Sequence, residues 1–448
     1  MRKFFGTDGI RGIANLAPMI PSTVVRVGQV IAVTLDPEGK GIVVGKDPRR
    51  SGDMLEAALM AGITSCGRSC YRVGVLPTPG IAYLTRKLKA AAGVVISASH
   101  NPMEDNGIKV FGPDGFKLTD QQEMEMERRI QAEDEEFPHP TGRQIGCILE
   151  VRDAVQQYFD FLKCTFIDLD LSGMKICLDC ANGATSSIAP FLFQELGARV
   201  HPIHFQPDGI NINHQCGALY PETLARQVLE QGAEVGFSFD GDGDRLICVD
   251  EQGAILSGDQ MLLILARYLK EKGLLPNNLV VTTVMSNLGF FKAAELLGLN
   301  VRQTQVGDRY VLEEMQACGA VIGGEDSGHI IIMDSEQTTG DGIFAALRLL
   351  RVIREQSGPV SELGKIMRRY PQVLTSVPVR ARVDLTQVPQ IREAISRAEA
   401  ELGNQGRVLV RYSGTQLMVR VMVEGPDAKT TERLASELTA LVQQHLGA

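Results

Sequence analysis

One pattern recurs three times along the chain and constrains its fold more than any other feature. Short β-branched strands alternate with amphipathic helices, and each run ends on a polar loop, glycine-bearing in the second and third. The first run reads as strand 41–45, helix 54–63, strand 71–76, a further helix, and strand 92–96. The second reads as strand 175–178, helix 188–196, strand 200–205, helix 222–230 and strand 235–239. The third follows the same order over 279–284, 290–297, 301–305, 310–317 and 320–322. Strands separated by helices of about ten residues imply right-handed βαβ units and mixed, mostly parallel sheets. The runs lead into Ser97-Ala-Ser99-His100-Asn101-Pro102, Asp240-Gly-Asp242-Gly-Asp244-Arg245 and Gly324-Glu325-Asp326-Ser327-Gly328-His329. In open α/β sheets ligands bind beyond the carboxyl ends of strands. Three such loops at equivalent places therefore predict three related α/β domains around one central cleft.

The remainder has a different rhythm: helix 339–355, strand 373–383, helix 390–402, a hairpin of 408–411 with 417–423, and helix 430–446. This predicts a smaller carboxy-terminal α+β domain. The expected divisions are 1–150, 151–253, 254–370 and 371–448, in keeping with the two to four domains that 448 residues suggest. A net charge of −9 with only 5% aromatics and no tryptophan gives no footprint for nucleic acid or an anionic membrane. No apolar run approaches the ~18 residues of a membrane span, and the basic start MRKFFGTDGI never becomes a signal-peptide core. Nine cysteines include a single CxxC, Cys177 to Cys180, with no second pair to complete a zinc site. They read as small buried hydrophobes, and the expected setting is soluble, reducing and cytoplasmic.

Asp240, Asp242 and Asp244 carry the strongest local signal. Three carboxylates at alternate positions of a glycine-loosened loop can turn to one point, where each pair ~4 Å apart repels by ~4 kcal/mol at an effective dielectric of 20. Hard oxygen ligands of this kind suit magnesium or calcium. An EF-hand is the competing reading, since Glu251 falls at position twelve counted from Asp240. Against it, Arg245 stands where that loop needs glycine, and Val235-Gly-Phe-Ser-Phe239 reads as strand. Ser99, directly after an apolar strand, is either a nucleophile or phosphate carrier, or the start of an ST-turn ahead of Pro102. His100 is its orienting neighbour, and Lys109 is the nearest cation, by itself a surface lysine. Glu325, Ser327 and His329 suit hydrogen bonding to a polyhydroxylated ligand, or form only a tight turn. Arg411, Ser413, Gly414 and Thr415, with Arg420 beyond, make an anion nest or a plain hairpin turn. Gly6-Thr7-Asp8-Gly9-Ile10-Arg11-Gly12 brings Arg11 to the same cleft or is only a turn; no G-K-[ST] follows, so it is not a P-loop.

In this combination and order the four motifs resemble the α-D-phosphohexomutase family across the whole chain. The resemblance implies that Ser99 is a phosphoserine which, with Asp240, Asp242 and Asp244, holds one Mg2+. Such a phosphoserine carries about −1.5 to −2 charge, and three carboxylates beside it call for a divalent ion. The metal and Arg245 would offset charge on the phosphoryl group in flight, and His100 and Lys109 would orient it. Arg11 and His329 are the implied candidates for proton transfer. Glu325 and Ser327 would hold sugar hydroxyls, and Arg411, Ser413, Gly414, Thr415 and Arg420 the phosphate that is not reacting.

Phe5 to Gly12, Asn211-Ile-Asn213 with Cys216-Gly217, and Val306-Gly-Asp-Arg-Tyr310 are most similar to the branch of the family that acts on glucosamine phosphates. The implied reaction interconverts glucosamine 6-phosphate and glucosamine 1-phosphate through a sugar 1,6-bisphosphate, which is also the activator. The product would feed UDP-N-acetylglucosamine and peptidoglycan synthesis, and a homodimer is implied. A glucose or mannose phosphate mutase of the same fold and a non-catalytic metal-binding relative are the alternatives. A phosphatase would need a base for water that the sequence does not show. One departure stands out: the family usually continues with Glu-Pro after the equivalent of Thr415, where this chain has Gln416 and Leu417.

Overall fold

Each repeat folds with one and the same strand order, and this order places its loop. In the computed structural model, which describes residues 4–6, 8–132, 136–333, 336–413 and 417–448, Ile42–Lys46 lies between Cys70–Val75 and Ala92–Ile96, all three parallel. Asp105–Phe111 then runs antiparallel beside Ala92–Ile96. The second repeat sets Lys175–Asp179 between Arg199–Ile203 and Val235–Phe239 in parallel, with Leu246–Asp250 antiparallel to the last. The third sets Leu279–Thr283 between Asn300–Thr304 and Ile322–Gly324, with Ile330–Ile332 turned back. Thus each polar loop joins the last parallel strand to an antiparallel partner. Helical crossovers generate the parallel trio; the loop itself reverses the chain.

The first sheet is widened by Ile10–Ile13 at one edge and Ile148–Glu150 at the other. All residues of Ile42–Lys46, Ala92–Ile96, Val235–Phe239 and Leu279–Thr283 are buried, which is why these runs are mostly apolar, with Lys46, Ser238, Thr282 and Thr283 the exceptions, rather than alternating. Around them pack side chains such as Val30, Ile31, Leu59, Ile63 and Met126 in the first repeat. The helix expected from 339 starts three residues later, at Gly342–Gln356. There the Asp341 carboxylate accepts the Phe344 N–H at 2.9 Å and sets the start.

By compactness the chain divides in two: residues up to Val284 with Asn300–Lys365, and Met285–Leu299 with Ile366–Ala448. The second unit holds a three-stranded antiparallel sheet in which Met418–Glu424 lies between Gln372–Pro378 and Arg407–Tyr412. Helices Pro389–Leu402 and Ala428–Leu446 cover it through Ile391, Leu402, Leu434, Leu438 and Val442. The strand expected over 373–383 stops at Pro378 because the N–H of Arg380 turns to the Leu446 carbonyl at 3.0 Å. Helix Leu288–Leu296, which the repeat pattern assigns to the third α/β run, groups with this second unit. Asn287 donates to Glu424 Oε1 at 3.0 Å, and the Leu288 N–H to Glu424 Oε2 at 3.1 Å. Among the described residues no helix is long and apolar enough to cross a membrane. All nine cysteines are unlinked; Cys177 and Cys180 are buried, and burial pushes the Cys177 thiol up to about 11.

Candidate active site

The first loop frees one hydroxyl by occupying another. Ser97 Oγ accepts the Ser99 N–H at 2.8 Å and donates to Asp47 Oδ2 at 2.6 Å, so Ser97 makes the local serine turn. Ser99 sits at φ +54, a left-handed conformation that costs an L-residue about 1–2 kcal/mol. Its buried Oγ donates to Asp240 Oδ2 at 2.6 Å, with His100 Nδ1 at 3.3 Å.

Asp240, Asp242 and Asp244 are all buried, and each offers a carboxylate oxygen within 4.8 Å of the others. Strands Val235–Phe239 and Leu246–Asp250 flank the loop, which excludes an EF-hand, and Glu251 instead accepts the Ser361 N–H at 3.1 Å. Lys109, on Asp105–Phe111, is only 2% exposed and far from a surface lysine. Its Nζ lies 2.9 Å from Asp242, 3.1 Å from Asp244 and 3.2 Å from Asp8. Burial works against its charge, but those three carboxylates outweigh burial and hold Lys109 protonated. Among the described residues Asp240 has no such ion pair. Burial first, then Asp244 and Asp242, push its carboxyl up to about 8 against the pull of Arg245.

Among the described residues Asp242 Oδ1 and Asp244 Oδ1 are buried without a hydrogen bond, although Thr78 Oγ1 satisfies Asp242 Oδ2 at 2.7 Å and His329 Nδ1 lies 3.7 Å from Asp244 Oδ1. An orphaned buried acceptor costs about 1–3 kcal/mol. The donor set is all oxygen, carries excess negative charge and has two unsatisfied atoms, so it fits a hard divalent cation.

A lattice of charge surrounds the triad. Lys117 pairs with Asp8 at 2.5 Å and with Asp308, and Arg11 also pairs with Asp8 at 2.5 Å. His329 Nε2 is 3.4 Å from Asp308 Oδ2, and its Nδ1 is 3.7 Å from Asp244 Oδ1. Burial pulls His329 down, but Asp308 and Asp244 together hold it above its ordinary value. His100 is the opposite case: burial, then Arg245 and Arg11, depress it to about 3, so its ring is neutral. Glu325 Oε1 accepts the Gly307 N–H at 3.0 Å, and burial and then Asp308 raise its carboxyl. Ser327 is exposed on the turn closed by the Gly328 N–H to the Glu325 carbonyl at 3.0 Å. The Leu246 N–H donates to the Gly328 carbonyl at 3.0 Å and ties this loop to the strand after the aspartates. Arg245 donates its backbone N–H to Asp240 Oδ1 at 3.2 Å, while its Nε is buried without a partner among the described residues.

The structure therefore gathers Ser99, His100, Lys109, Arg11, the three aspartates, Arg245, Glu325 and His329 around one point. Sequence reasoning missed Thr78, Lys117, Asp8 and Asp308 as members. Asp8 and Asp308 lie inside motif segments and carried a signal; Thr78 and Lys117 carried none. A second cluster of metal-binding residue types, Asp179, His204 and Cys216, behaves differently. Asp179 Oδ1 accepts the Ala181 N–H at 2.9 Å; its Oδ2 accepts the Gly217 N–H at 3.1 Å and lies 3.0 Å from His204 Nδ1. Burial, then Asp179, push the Cys216 thiol up to about 12. With its carboxylate satisfied and its thiol protonated, this cluster anchors a loop.

In the second unit Arg411 and Arg420 stand directly opposite across antiparallel strands, a destabilising pairing of like charges. Burial, then Arg420, lower Arg411, whose Nε has no partner among the described residues, and Arg382 donates to the Ser413 carbonyl at 2.7 Å. An anion at this hairpin end would relieve both the repulsion and the orphaned donor. Gly414, Thr415 and Gln416 lie outside the described residues.

Comparison with known proteins places this geometry in a family. Phosphoglucomutase/phosphomannomutase models match in four consecutive parts: α/β/α domain I over 2–137, domain II over 156–253, domain III over 257–370 and the C-terminal domain over 374–441. The chain is 52% identical over 446 residues to the phosphoglucosamine mutase of Carboxydothermus hydrogenoformans, covering 99% of this chain and 100% of that one. It is 50% identical over 450 residues to that of Oceanobacillus iheyensis, covering 100% of each. Its fold is similar to that of a phosphoglucomutase/phosphomannomutase family protein from Burkholderia thailandensis, with TM-score 0.80 at 23% identity over 99% and 98% of the two chains. The Aspergillus fumigatus N-acetylphosphoglucosamine mutase solved with GlcNAc-6P and magnesium matches at TM-score 0.70 and 18% identity, over 99% and 96%. Matched in all four parts, in order and over nearly its whole length, the chain belongs to the phosphoglucomutase/phosphomannomutase family.

Proposed function

We propose that the chain is a phosphoglucosamine mutase that interconverts glucosamine 6-phosphate and glucosamine 1-phosphate, with Ser99 as the phosphoryl carrier. The observation that carries this reading is the Ser99 hydroxyl, held 2.6 Å from Asp240 inside a buried carboxylate triad in which two oxygens lack a hydrogen bond among the described residues. The names of relatives about half identical over the full chain support the substrate.

Asp240, Asp242 and Asp244 would hold Mg2+, which when bound supplies positive charge beside the transferring phosphoryl group. Transfer breaks the Ser99 Oγ–P bond and forms a bond to the sugar O1, while the net proton passes from the sugar hydroxyl to Oγ. The resulting 1,6-bisphosphate returns its 6-phosphoryl group to Ser99 after it reorients. Lys109, kept charged by Asp242, Asp244 and Asp8, orients phosphoryl oxygens together with neutral His100. We assign Arg11 to orientation rather than proton transfer: burial opposes its charge, but Asp8 and Asp242 hold its proton. His329 is the proton carrier of the site, Glu325 and Ser327 hold sugar hydroxyls, and Arg411, Ser413, Gly414, Thr415 and Arg420 bind the distal phosphate.

Protein primed with a sugar 1,6-bisphosphate is expected to turn over glucosamine 6-phosphate at least about tenfold faster than the glucose or mannose 6-phosphates. A preference for mannose 6-phosphate in the same assay would overturn the substrate assignment. The proton on Asp240 gives a second expectation. Below the value near 8, Mg2+ must displace that proton, so the affinity of the unphosphorylated protein rises up to about tenfold per pH unit and levels off above it. Titration calorimetry between pH 6 and 9 measures this, and an affinity independent of pH would contradict it.

A further inference from the structure

Ser99 holds a left-handed backbone that nothing in its own side chain requires, so other groups must impose it. Two side chains from different repeats converge on the same two carbonyls. Arg49 Nη2 donates to the Ser99 carbonyl at 2.9 Å and to the Asn101 carbonyl at 2.8 Å. Asn213 Nδ2 donates to the same pair at 2.8 and 3.0 Å. We propose that Arg49 and Asn213 form a carbonyl clamp that fixes the Ser99 backbone and thereby aims its Oγ at the metal loop, making both positioning residues for phosphoryl transfer.

Arg49 is wholly buried and uses its entire fork here. Its Nη1 reaches the Pro102 carbonyl and, at 3.0 Å, the Asp105 carbonyl, and its Nε donates to Asp47 Oδ2 at 2.8 Å. The same Asp47 oxygen accepts from Ser97 Oγ, which in turn accepts the Ser99 N–H. Both backbone polar groups of Ser99 are therefore fixed through one connected network, and only the side chain stays available. Asn213 comes from the loop that Asp179 anchors at Gly217, and its own N–H donates to the Ala181 carbonyl at 2.9 Å. Gly241 closes the arrangement: a methyl there would come within 2.7 Å of the Ser99 carbonyl oxygen and 2.8 Å of Asn213 Nδ2. The serine loop, the Asn213 loop and the metal loop thus share one contact point, and glycine is needed there for space alone.

The proposal rests on phosphoryl transfer at Ser99, but its test separates the two. Hydrogen–deuterium exchange over 97–103 is compared in wild type, Asn213→Ala and Asn213→Asp, and kinetics with glucosamine 6-phosphate follow. Both variants lose the two donors, and the aspartate keeps the shape. Exchange in 97–103 is expected to quicken by at least about tenfold in both, with other segments unchanged. Turnover should fall about ten- to hundredfold with KM within about twofold, because a misplaced nucleophile lowers kcat rather than binding. Exchange that matches wild type in either variant overturns the clamp, as does an unaltered kcat. If wild type primed with a sugar 1,6-bisphosphate itself lacks turnover, the mutase reading fails and the exchange data alone decide the clamp.

Discussion

Ser99→Ala is expected to lower turnover by at least about ten-thousand-fold while the protein stays folded. The carrier oxygen is the only atom lost, and removing a nucleophile from a working site costs on this scale. Alanine keeps the Cβ, so the left-handed backbone at φ +54 is no worse than before. The stability change is the loss of one donor to Asp240, about 1 kcal/mol. A melting curve beside the kinetics separates lost chemistry from lost fold. A variant that keeps more than about one per cent of activity would remove Ser99 from the mechanism.

Asp240→Asn should move function and stability in opposite directions. Turnover is expected to fall about a thousandfold, because the cation loses a charged ligand that lies 2.6 Å from the carrier oxygen. In metal-free protein the same change should stabilise. Asp240 is raised to about 8 in the fold, so it is protonated there at pH values where the unfolded chain is already ionised. Wild type therefore loses stability as pH rises from the ordinary carboxylate value to about 8, by at most about 1.4 kcal/mol per unit. The asparagine variant escapes that loss: the two proteins should be alike near pH 4, with the variant ahead near pH 8. Urea unfolding with chelator at both pH values measures the gap, and a variant that is weaker at pH 8 would contradict the electrostatic reading of the triad.

The repeats were legible because parallel strands buried on both faces are mostly apolar, and 92–96 and 235–239 are found as strands with those same bounds. The aspartate loop was legible because no ordinary turn concentrates three carboxylates. Two kinds of feature stayed hidden. Helix 288–296 has the length and polarity of a crossover, and nothing in its sequence shows that Glu424, more than a hundred residues away, binds its start. Lys109 read as a surface lysine and Lys117 gave no signal, because their carboxylate partners come from distant segments. Arg49 was hidden for a related reason: its partners are mostly backbone carbonyls, which leave no trace in residue type. Which group of a charged cluster keeps its proton is likewise set by burial. His100 and His329 are the same residue type in loops of similar composition, yet their rings are driven in opposite directions.

A phosphoryl group that passes between Ser99 and the sugar can be followed directly by its label. The direct measurement is a single turnover of protein carrying radiolabelled phosphate, first mapped to Ser99 by mass spectrometry, mixed with unlabelled glucosamine 6-phosphate. The label should leave Ser99, appear in the sugar bisphosphate and finish in glucosamine 1-phosphate. Label that is released as inorganic phosphate, or that stays on the protein while product forms, would contradict transfer through Ser99.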